Sequence, residues 1–411
     1  MTIARDRNSK EGKTRRRKRG RRIKHEGEEV TASLVNPEDF PATKQYVYLN
    51  AASISLMPLP VLRKMNKFQE DLGLRATAWF DEEVETNALE DARLEAAKLI
   101  GAEVDEVALL SSTTEALCAV AWSLDLRRGD NVVTTDMEFP SMVYPWMRIR
   151  EEKGVEVRLA RNREGIVEVA DLEKLVDDHT KVLAISHVEY ASGLRFNLKE
   201  LHHLASEHGA LLVVDAIQSL GVVPLTVKDE GVDILASGAY KWLLGPFGTS
   251  ILYMKRGLYE KLEPPFVGFR STGKPFELEP TRLTYAKTAR KFEYSTSNYA
   301  AMTGLAEAIK YLRRIGIERV YNYVLEITGN LMQLLSNLEG ARIMTPMERE
   351  MRAGIVTVRF EKADYMEVTK KLREKGIIVS PRFESVRMSP HIYNTEEDVS
   401  KVSEELKKIT S

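Results

Sequence analysis

Lys241 stands in a turn that follows a strand-like segment. The apolar residues 232–236 have the composition of a buried strand, while Gly245 and Pro246 do not continue a helix after the lysine. A lysine held between the large side chains of Tyr240 and Trp242 is a candidate amine nucleophile, because partial desolvation lowers its pKa. Most lysines are solvated surface residues, so Lys241 alone does not predict chemistry.

A carboxylate stands at the end of a second strand-like segment. Residues 211–216 read Leu-Leu-Val-Val-Asp-Ala, which predicts a buried parallel strand that ends at Asp215. Because ligands bind beyond the carboxyl ends of strands in open α/β sheets, we expect Asp215 and Lys241 at the same edge. A lysine that forms a Schiff base and a carboxylate that pairs with a pyridinium nitrogen are what pyridoxal phosphate requires. This cofactor also needs a phosphate site, a ring-stacking partner and a clamp for the substrate carboxylate.

A hydroxyl-rich turn is the candidate phosphate site. The strand-like residues 107–110 lead through Ser-Ser-Thr-Thr-Glu to a helical pattern over 116–124, which puts Thr113 and Thr114 at a helix N-terminus. Free backbone N–H groups and the positive end of the helix dipole favour an anion there. Hydroxyl residues before a helix can also be plain N-caps, and that alternative stays open.

Two more residues follow predicted strands. Phe139 comes after the strand-like residues 131–135, where its ring could stack on a cofactor or fill the core. His187 comes after the strand-like residues 181–186 and is either an acid or base or a hydrogen-bonded structural histidine.

The order of the elements predicts an α/β fold. Strands and helices alternate from residue 107 to residue 254, which favours right-handed crossovers and a mostly parallel, doubly wound sheet, with an antiparallel strand over 249–254. In the smaller C-terminal part, Arg387 alternates with apolar neighbours and points off one face of a strand. We expect a disordered basic tail, an N-terminal segment, a large cofactor-binding domain and a small α+β domain, over residues 1–36, 37–66, 67–300 and 301–411.

Composition excludes some classes of protein. The 411 residues are 43% apolar and 29% charged, as in ordinary globular proteins, and no apolar run is long enough for a membrane span. The single cysteine, Cys118, excludes an internal disulfide and fits the cytoplasm. No pattern predicts a metal site.

The basic N-terminal tail is separate from this pattern. Residues 1–30 hold 12 Lys and Arg against 5 Asp and Glu, which leaves 48 against 56 in the remainder. Such a run is typical of a disordered, solvated arm, although it could contact nucleic acid through phosphates. A third possibility is that Met1 is not the true start. The tail has no apolar region and is not a secretory signal.

With these residues assembled, the chain resembles the class V aminotransferase family of pyridoxal-phosphate enzymes, which includes cysteine desulfurases, kynureninase and isopenicillin N epimerase. The resemblance covers about residues 48–409, and its most specific part is Asp215-x-x-Gln218 followed by Tyr240-Lys241-Trp242-Leu243. It implies fold type I with a seven-stranded sheet, amino-acid and keto-acid substrates, and a homodimer with shared active sites.

The resemblance also implies a role for each matching residue. Lys241 and Asp215 are the catalytic pair, and Arg387 and Asn50 lie on the substrate side. Arg387 is the clamp for the substrate carboxylate, since a planar guanidinium suits that task. The implied cofactor-binding residues are Thr113, Thr114, Phe139, Tyr190, Asp215, Gln218, Ser237, Tyr240, Lys241 and Thr296, the last reaching the neighbouring subunit.

Two departures from the desulfurase pattern matter, and the second disfavours sulfur transfer through a cysteine persulfide. Gly238 replaces a serine that desulfurases carry three residues before the lysine, and residues 341–411 contain no cysteine to accept sulfur. Cys118 is best interpreted as a small core residue. We expect an aminotransferase acting on a small α-amino acid and an α-keto acid. A lyase or epimerase, which would share every cofactor residue, is the alternative, and the Phe139-Pro140-Ser141 and Lys241-Trp242-Leu243 segments favour it. An inactive enzyme fold that binds nucleic acid through the basic arm is the rival from another class.

Overall fold

The computed structural model describes residues 34–410. The predicted disordered tail and its contact with nucleic acid fall mainly on residues 1–33, outside the described residues. No helix between residues 34 and 410 is both long enough and apolar enough to cross a membrane.

A seven-stranded sheet forms the centre of the fold. Its spatial order is β2-β8-β7-β6-β5-β3-β4, and all neighbouring pairs are parallel except the two that β8 makes. The predicted mostly parallel sheet and its antiparallel strand are confirmed. The strands are β2 (Val107–Leu110), β3 (Asn131–Thr135), β4 (Glu156–Ala160), β5 (Thr180–Ser186), β6 (Leu211–Asp215), β7 (Ile234–Gly238) and β8 (Ser250–Met254).

The sheet is buried on both faces except at its edge strand β4, which is partly exposed. Along β2, Leu109 packs into one apolar cluster while Ala108 and Leu110 pack into another, because successive side chains of a strand point to opposite faces. Strands buried on both sides read as continuous apolar runs, which is why the sequence predicted them well.

Helices cover these faces and the remainder of the chain. Helix α2 begins at an N-cap, Asp81, that accepts from two backbone N–H groups, and it ends at Gly101 in the left-handed region. The helices are α1 (Leu59–Arg75), α2 (Glu82–Ile100), α3 (Thr113–Ser123), α4 (Pro140–Lys153), α5 (Val169–Glu173), α6 (Leu198–Glu207), α7 (Arg256–Tyr259), α8 (Tyr299–Ile315), α9 (Ile317–Ser336), α10 (Tyr365–Glu374) and α11 (Glu396–Thr410).

The sequence pattern did not predict α4. Pro140 occupies its first position, where a missing N–H costs nothing and the fixed φ suits a helix. Pro145 lies inside the helix and removes a further backbone hydrogen bond, which weakens the helical signal of residues 140–153.

A second sheet lies in the C-terminal part of the chain. Its order is β12-β13-β10-β9 with antiparallel neighbours, formed by β9 (Ala341–Ile343), β10 (Val356–Phe360), β12 (Ser380–Arg382) and β13 (Ser385–Met388). A separate parallel pair joins β1 (Val47–Tyr48) to β11 (Ile377–Ile378), so the N-terminal segment is fixed to the C-terminal part. The predicted boundaries 37–66, 67–300 and 301–411 stay predictions.

Candidate active site

Asp215 and Lys241 follow neighbouring strands of the large sheet. Asp215 is the last residue of β6 and pairs in register with Ala236 of β7, and the turn after β7 carries Lys241. This turn is closed by backbone hydrogen bonds from Leu244 to Lys241 at 3.0 Å and from Gly245 to Ala239 at 2.9 Å. The strand ends therefore bring the two residues to one edge, as the sequence predicted.

The Lys241 side chain is buried among aromatic rings. It is 8% exposed, and its Nζ lies 5.7 Å from the ring centroid of Phe139 and 5.8 Å from that of Tyr240. Burial lowers the pKa of Lys241 to about 8, against the opposing effect of Asp215. Nζ donates no hydrogen bond to any group within residues 34–410, so the amine is available for reaction.

Asp215 is a buried carboxylate with one oxygen in use. It is 3% exposed, and its Oδ1 accepts from the backbone N–H of Ile217 at 2.8 Å. Burial raises the pKa of Asp215 to about 6, whereas the Ile217 N–H and Lys241 oppose that rise. Its Oδ2 has no hydrogen-bond partner in the described part of the chain, and a protonated ring nitrogen would suit that position.

Two glutamates that the sequence analysis did not single out lie near Asp215. Glu138 accepts from the N–H and the hydroxyl of Ser186 at 2.6 and 2.5 Å, and Ser186 pairs in register with Asp215. Glu189 accepts from Thr135 at 3.1 Å, and its Oε2 is buried without a partner. Burial raises the pKa of both glutamates. Repulsion by neighbouring carboxylates raises each pKa further. The one feature of the sequence that could have indicated these glutamates is that they come just after β3 and β5.

The predicted phosphate turn lies next to the lysine strand. The backbone N–H of Gly238 donates to Oγ1 of Thr113 at 2.7 Å, and the hydroxyls of Thr114 and Ser141 lie 2.8 Å apart. Ser112 caps α3 by accepting from the N–H of Glu115. The N–H groups of Thr113 and Thr114 have no acceptor among the described residues, which leaves an anion site at this helix end.

Phe139 is not part of the core. Its ring is 45% exposed and lies edge-on to Tyr190, with the ring centroids 5.3 Å apart. Tyr240 stacks on Phe247 with a centroid distance of 4.5 Å. The exposed ring of Phe139 beside the amine of Lys241 favours the stacking interpretation over the core interpretation.

Gln218 connects three parts of the site. Its Oε1 accepts from Nε1 of Trp242 at 2.8 Å, and its Nε2 donates to the carbonyl oxygen of Ala52 at 3.0 Å. The residue after Lys241 is thereby joined to the N-terminal segment. One N–H of the Gln218 amide is left over, and its predicted place near a cofactor hydroxyl stays a prediction.

Arg387 is a buried cation with no carboxylate partner in residues 34–410. It is 1% exposed and donates to the carbonyl oxygen of Tyr190 at 2.6 Å and to Oγ of Ser53 at 2.7 Å, while its Nε has no partner. Burial and the charge of Arg382 lower the pKa of Arg387 to about 9, so it stays charged at neutral pH. A buried, unpaired guanidinium provides a site for an anion.

Two serines and an asparagine form hydrogen bonds beside this arginine. Ser380 donates to Oδ1 of Asn50 at 2.8 Å, and the hydroxyls of Ser380 and Ser53 lie 3.1 Å apart. Asn50 therefore lies in the segment that holds Ser53 against Arg387. Ser53 and Arg382 were missed in the sequence because only contacts across more than 300 positions reveal them.

Three residues behave differently from this group. Ser237 is buried in β7, where its hydroxyl donates to the Gly238 carbonyl at 3.3 Å. Thr296 is exposed and makes no contact with the other predicted site residues in the described chain. His187 is buried, and burial lowers the pKa of its imidazole to about 3, so the ring is neutral at neutral pH. Its Nδ1 has no hydrogen-bond partner among the described residues.

A family model matches this arrangement. The model described as Aminotransferase class-V covers residues 47–402, nearly all of the described chain. This chain belongs to the class V aminotransferase family. Pyridoxal phosphate is the cofactor of these enzymes and therefore of this member.

The relatives of this class V protein are named after two different activities. It is 32% identical over 367 residues, 89% of this chain and 95% of the relative, to a Bacillus subtilis protein named "Uncharacterized aminotransferase YcbU". It is also 32% identical to a "Probable cysteine desulfurase" from Methanothermobacter thermautotrophicus, over 90% of this chain and 96% of the relative. Among solved structures, the apo cysteine desulfurase of Thermococcus onnurineus matches with a TM-score of 0.83 and 27% identity, over 92% of this chain and 99% of that one.

The residues at the site fit pyridoxal phosphate. The amine of Lys241 and Oδ2 of Asp215 have no partners among residues 34–410, and the N–H groups that begin α3 are free. A methyl group added at Gly238 would lie only 3.1 Å from Oγ1 of Thr113, so a larger residue would narrow the turn beside the anion site. The amine of Lys241 suits the aldehyde of the cofactor, and Oδ2 of Asp215 suits its ring nitrogen. The free N–H groups of α3 suit its phosphate.

Proposed function

We propose that this protein is an aminotransferase that moves an amino group between a small α-amino acid and an α-keto acid. The observation that carries the proposal is a pair of buried cationic groups without acid partners: the amine of Lys241 and the guanidinium of Arg387. Each affects the pKa of its neighbours through space, and Arg387 lowers that of Lys241. An amine and a carboxylate clamp within electrostatic reach suit a ligand that carries a carboxylate beside its reacting carbon.

Some residues would hold the cofactor, and others would act on the substrate. Pyridoxal phosphate, when bound, supplies an electron sink for negative charge that develops at the substrate Cα. Lys241 holds the cofactor covalently and then moves the proton at Cα, for which a pKa of about 8 is well matched to neutral conditions. Asp215 keeps the ring nitrogen protonated, and Phe139 stacks on the ring.

The phosphate and the substrate carboxylate are held by different elements. Thr113 and Thr114 offer N–H groups and hydroxyls to the phosphate at the start of α3, with Tyr240 and Ser237 nearby. Arg387 would hold the carboxylate so that the substrate Cα lies within reach of the Lys241 amine, which would move the proton at that atom.

A lyase or epimerase is the second candidate, supported by the relatives named cysteine desulfurase. Sulfur transfer through a cysteine persulfide is not part of this proposal. The only cysteine, Cys118, lies inside α3, and burial together with Glu115 raises the pKa of its thiol, which disfavours the nucleophilic thiolate.

A single-turnover experiment separates the candidates. The purified protein is expected to show a visible absorption band that borohydride abolishes, that Lys241→Ala lacks and that Lys255→Ala, at a surface lysine, retains. Addition of an amino acid without keto acid is expected to bleach the band and release one keto acid per site. Continued product formation with the band intact would favour the lyase or epimerase, and a protein that never binds the cofactor would contradict both.

A cytoplasmic homodimer with shared sites completes the proposal, supported by the single cysteine and by the exposed position of Thr296. If Thr296 serves the neighbouring subunit, mixing Lys241→Ala with Thr296→Val subunits should restore sites that contain both native residues. Cofactor affinity and activity that stay at the level of the separate variants would contradict a shared site.

A further inference from the structure

Two arginines converge on one serine hydroxyl beside the candidate active site. Nη2 of Arg387 lies 2.7 Å and Nη2 of Arg382 lies 3.4 Å from Oγ of Ser53. The two nitrogen atoms are therefore no farther apart than the sum of these distances. Both arginines also lower the pKa of Lys241, so their charges act on the same small volume.

Arg382 has no acid partner in the described chain. Its other hydrogen bond runs from Nη1 to the carbonyl oxygen of Pro381 at 2.7 Å. Two further arginines of the same sheet are paired: Arg359 lies 3.5 Å from Glu384, and Arg342 forms an ion pair with Glu164. Two unpaired guanidiniums next to each other repel, and an anion between them would remove that repulsion.

Arg382 also lines a cavity that Lys241 does not line. It has a volume of about 240 Å³, and its lining includes Asn162, Ala191, Thr357 and Phe383. The ring of Phe383 lies 6.0 Å from that of Tyr190, whose carbonyl oxygen accepts from Arg387. The cavity therefore adjoins the carboxylate clamp and has room for a substrate side chain.

The acids of this cavity do not compete for Arg382. Asp136 accepts from the N–H and the side chain of Asn162 at 2.9 Å and lies 3.5 Å from Arg161. Glu164 is already paired with Arg342. Arg382 is thus the unpaired cation at the point where the cavity meets the clamp.

We propose that Arg382 binds a second acid group, so that the substrate is an α-amino acid with a carboxylate, or an acid of similar charge, one or two methylene groups beyond Cα. The inference rests on the proposed function in one respect, that the α-carboxylate binds at Arg387. Two charge-assisted contacts on two arginines would then fix both ends of the substrate.

The test is equilibrium binding of acids that cannot react. Calorimetry on the purified protein would compare succinate with butyrate, and glutarate with pentanoate, so that each pair differs only in the second carboxylate. We expect the diacid to bind at least about tenfold more tightly, as a hydrogen-bonded charge pair typically contributes. Arg382→Gln should remove this preference and leave butyrate affinity within about twofold of the native value.

Two further variants identify the arginine responsible. Arg382→Lys keeps the charge and should keep part of the preference, which excludes a folding defect as the cause. Arg359→Gln, in the same cavity but with a bonded guanidinium, should keep all of it. Equal affinities for succinate and butyrate in the native protein, an equal loss of both in Arg382→Gln, or loss of the preference in Arg359→Gln would each overturn the proposal.

This test does not depend on turnover. Absence of the visible band would contradict the proposed function but leave the binding comparison valid, because neither acid has to react. A protein that shows the band and converts amino acids, yet binds succinate no better than butyrate, would refute the second acid site alone.

Discussion

Nε1 of Trp242 donates to Oε1 of Gln218 at 2.8 Å, and this bond ties the lysine turn to the residues that follow Asp215. Trp242 and Gln218 are both buried, so neither has water as a substitute partner. Lys241 lies between strand β7 and this anchored tryptophan. The position of the reactive amine is therefore set from both sides of the turn.

Trp242→Phe should reduce stability through this lost bond. An unpaired buried amide oxygen costs about 1–3 kcal/mol beyond the loss of packing. Trp146→Phe is the matched control, because Trp146 is equally buried but its Nε1 has no partner in the described structure. Urea denaturation should show a lower midpoint for Trp242→Phe than for Trp146→Phe. Equal midpoints would mean that the bond to Gln218 contributes nothing.

Capture of the cofactor by the apoprotein should depend on the state of Lys241. Burial lowers the pKa of the amine to about 8, so the neutral form that reacts with an aldehyde grows as the pH rises through that value. The capture rate, followed by absorbance between pH 6 and pH 10, should rise with a midpoint near 8. A rate that stays low at pH 8 and is still rising steeply at pH 10, as for the usual lysine pKa of 10.5, would contradict the desolvated amine. Lys241→Ala should show no such phase.

Glu189→Gln should stabilise the protein most at high pH. The pKa of Glu189 is raised by burial in the folded state, so its favourable contribution is complete below the unfolded value of 4.5 and is lost as the pH rises through the folded value. Glutamine does not titrate and keeps an acceptor for Thr135. The difference in Tm, variant minus native, should grow from pH 5 to pH 9. A constant difference over that range would show that Glu189 titrates normally.

Gly238→Ala should weaken the phosphate site. The added methyl would lie 3.1 Å from Oγ1 of Thr113 and 3.2 Å from Cδ1 of Ile217, closer than ordinary packing allows. Overpacking of this kind costs about 1–3 kcal/mol and should shift the Thr113 hydroxyl. Affinity for pyridoxal phosphate, measured by fluorescence titration, should fall at least severalfold.

Gly73→Ala is the control for that substitution. Gly73 lies in α1 with nothing within 4 Å of an added Cβ, so alanine there should stabilise by about 0.5–1 kcal/mol. Cofactor affinity should not change. If Gly238→Ala bound pyridoxal phosphate with native affinity, the contact between Gly238 and Thr113 would not matter for phosphate binding.

The sequence predicted the residues whose place follows from a strand end. Asp215, Lys241 and Phe139 each come just after an apolar segment, and parallel strands carry such residues to one edge whatever the details of packing. It could not say whether Phe139 faces the core or the cleft, because both positions suit the same residue type. The exposure of its ring required the structure.

Residues that act through tertiary contacts were beyond the sequence pattern. Ser53 and Arg382 are ordinary polar residues until the fold brings them together across 329 positions. Glu189 looked like a loop residue, and only its burial without a cation makes it unusual. Helix α4 was hidden by two prolines, one of which starts the helix and the other of which the helix tolerates.

The parallel pairing of β1 with β11 has a consequence for synthesis on the ribosome. Asn50 and Ser380, which are hydrogen-bonded in the folded protein, lie 330 positions apart. At usual translation rates, on the order of 15–65 s pass between the emergence of the two residues. A nascent chain therefore presents Lys241 and Thr113 well before Arg387 exists, and the N-terminal segment has no strand to pair with during that time. The buried guanidinium of Arg387 joins the other groups of this site only after the last part of the chain has been made.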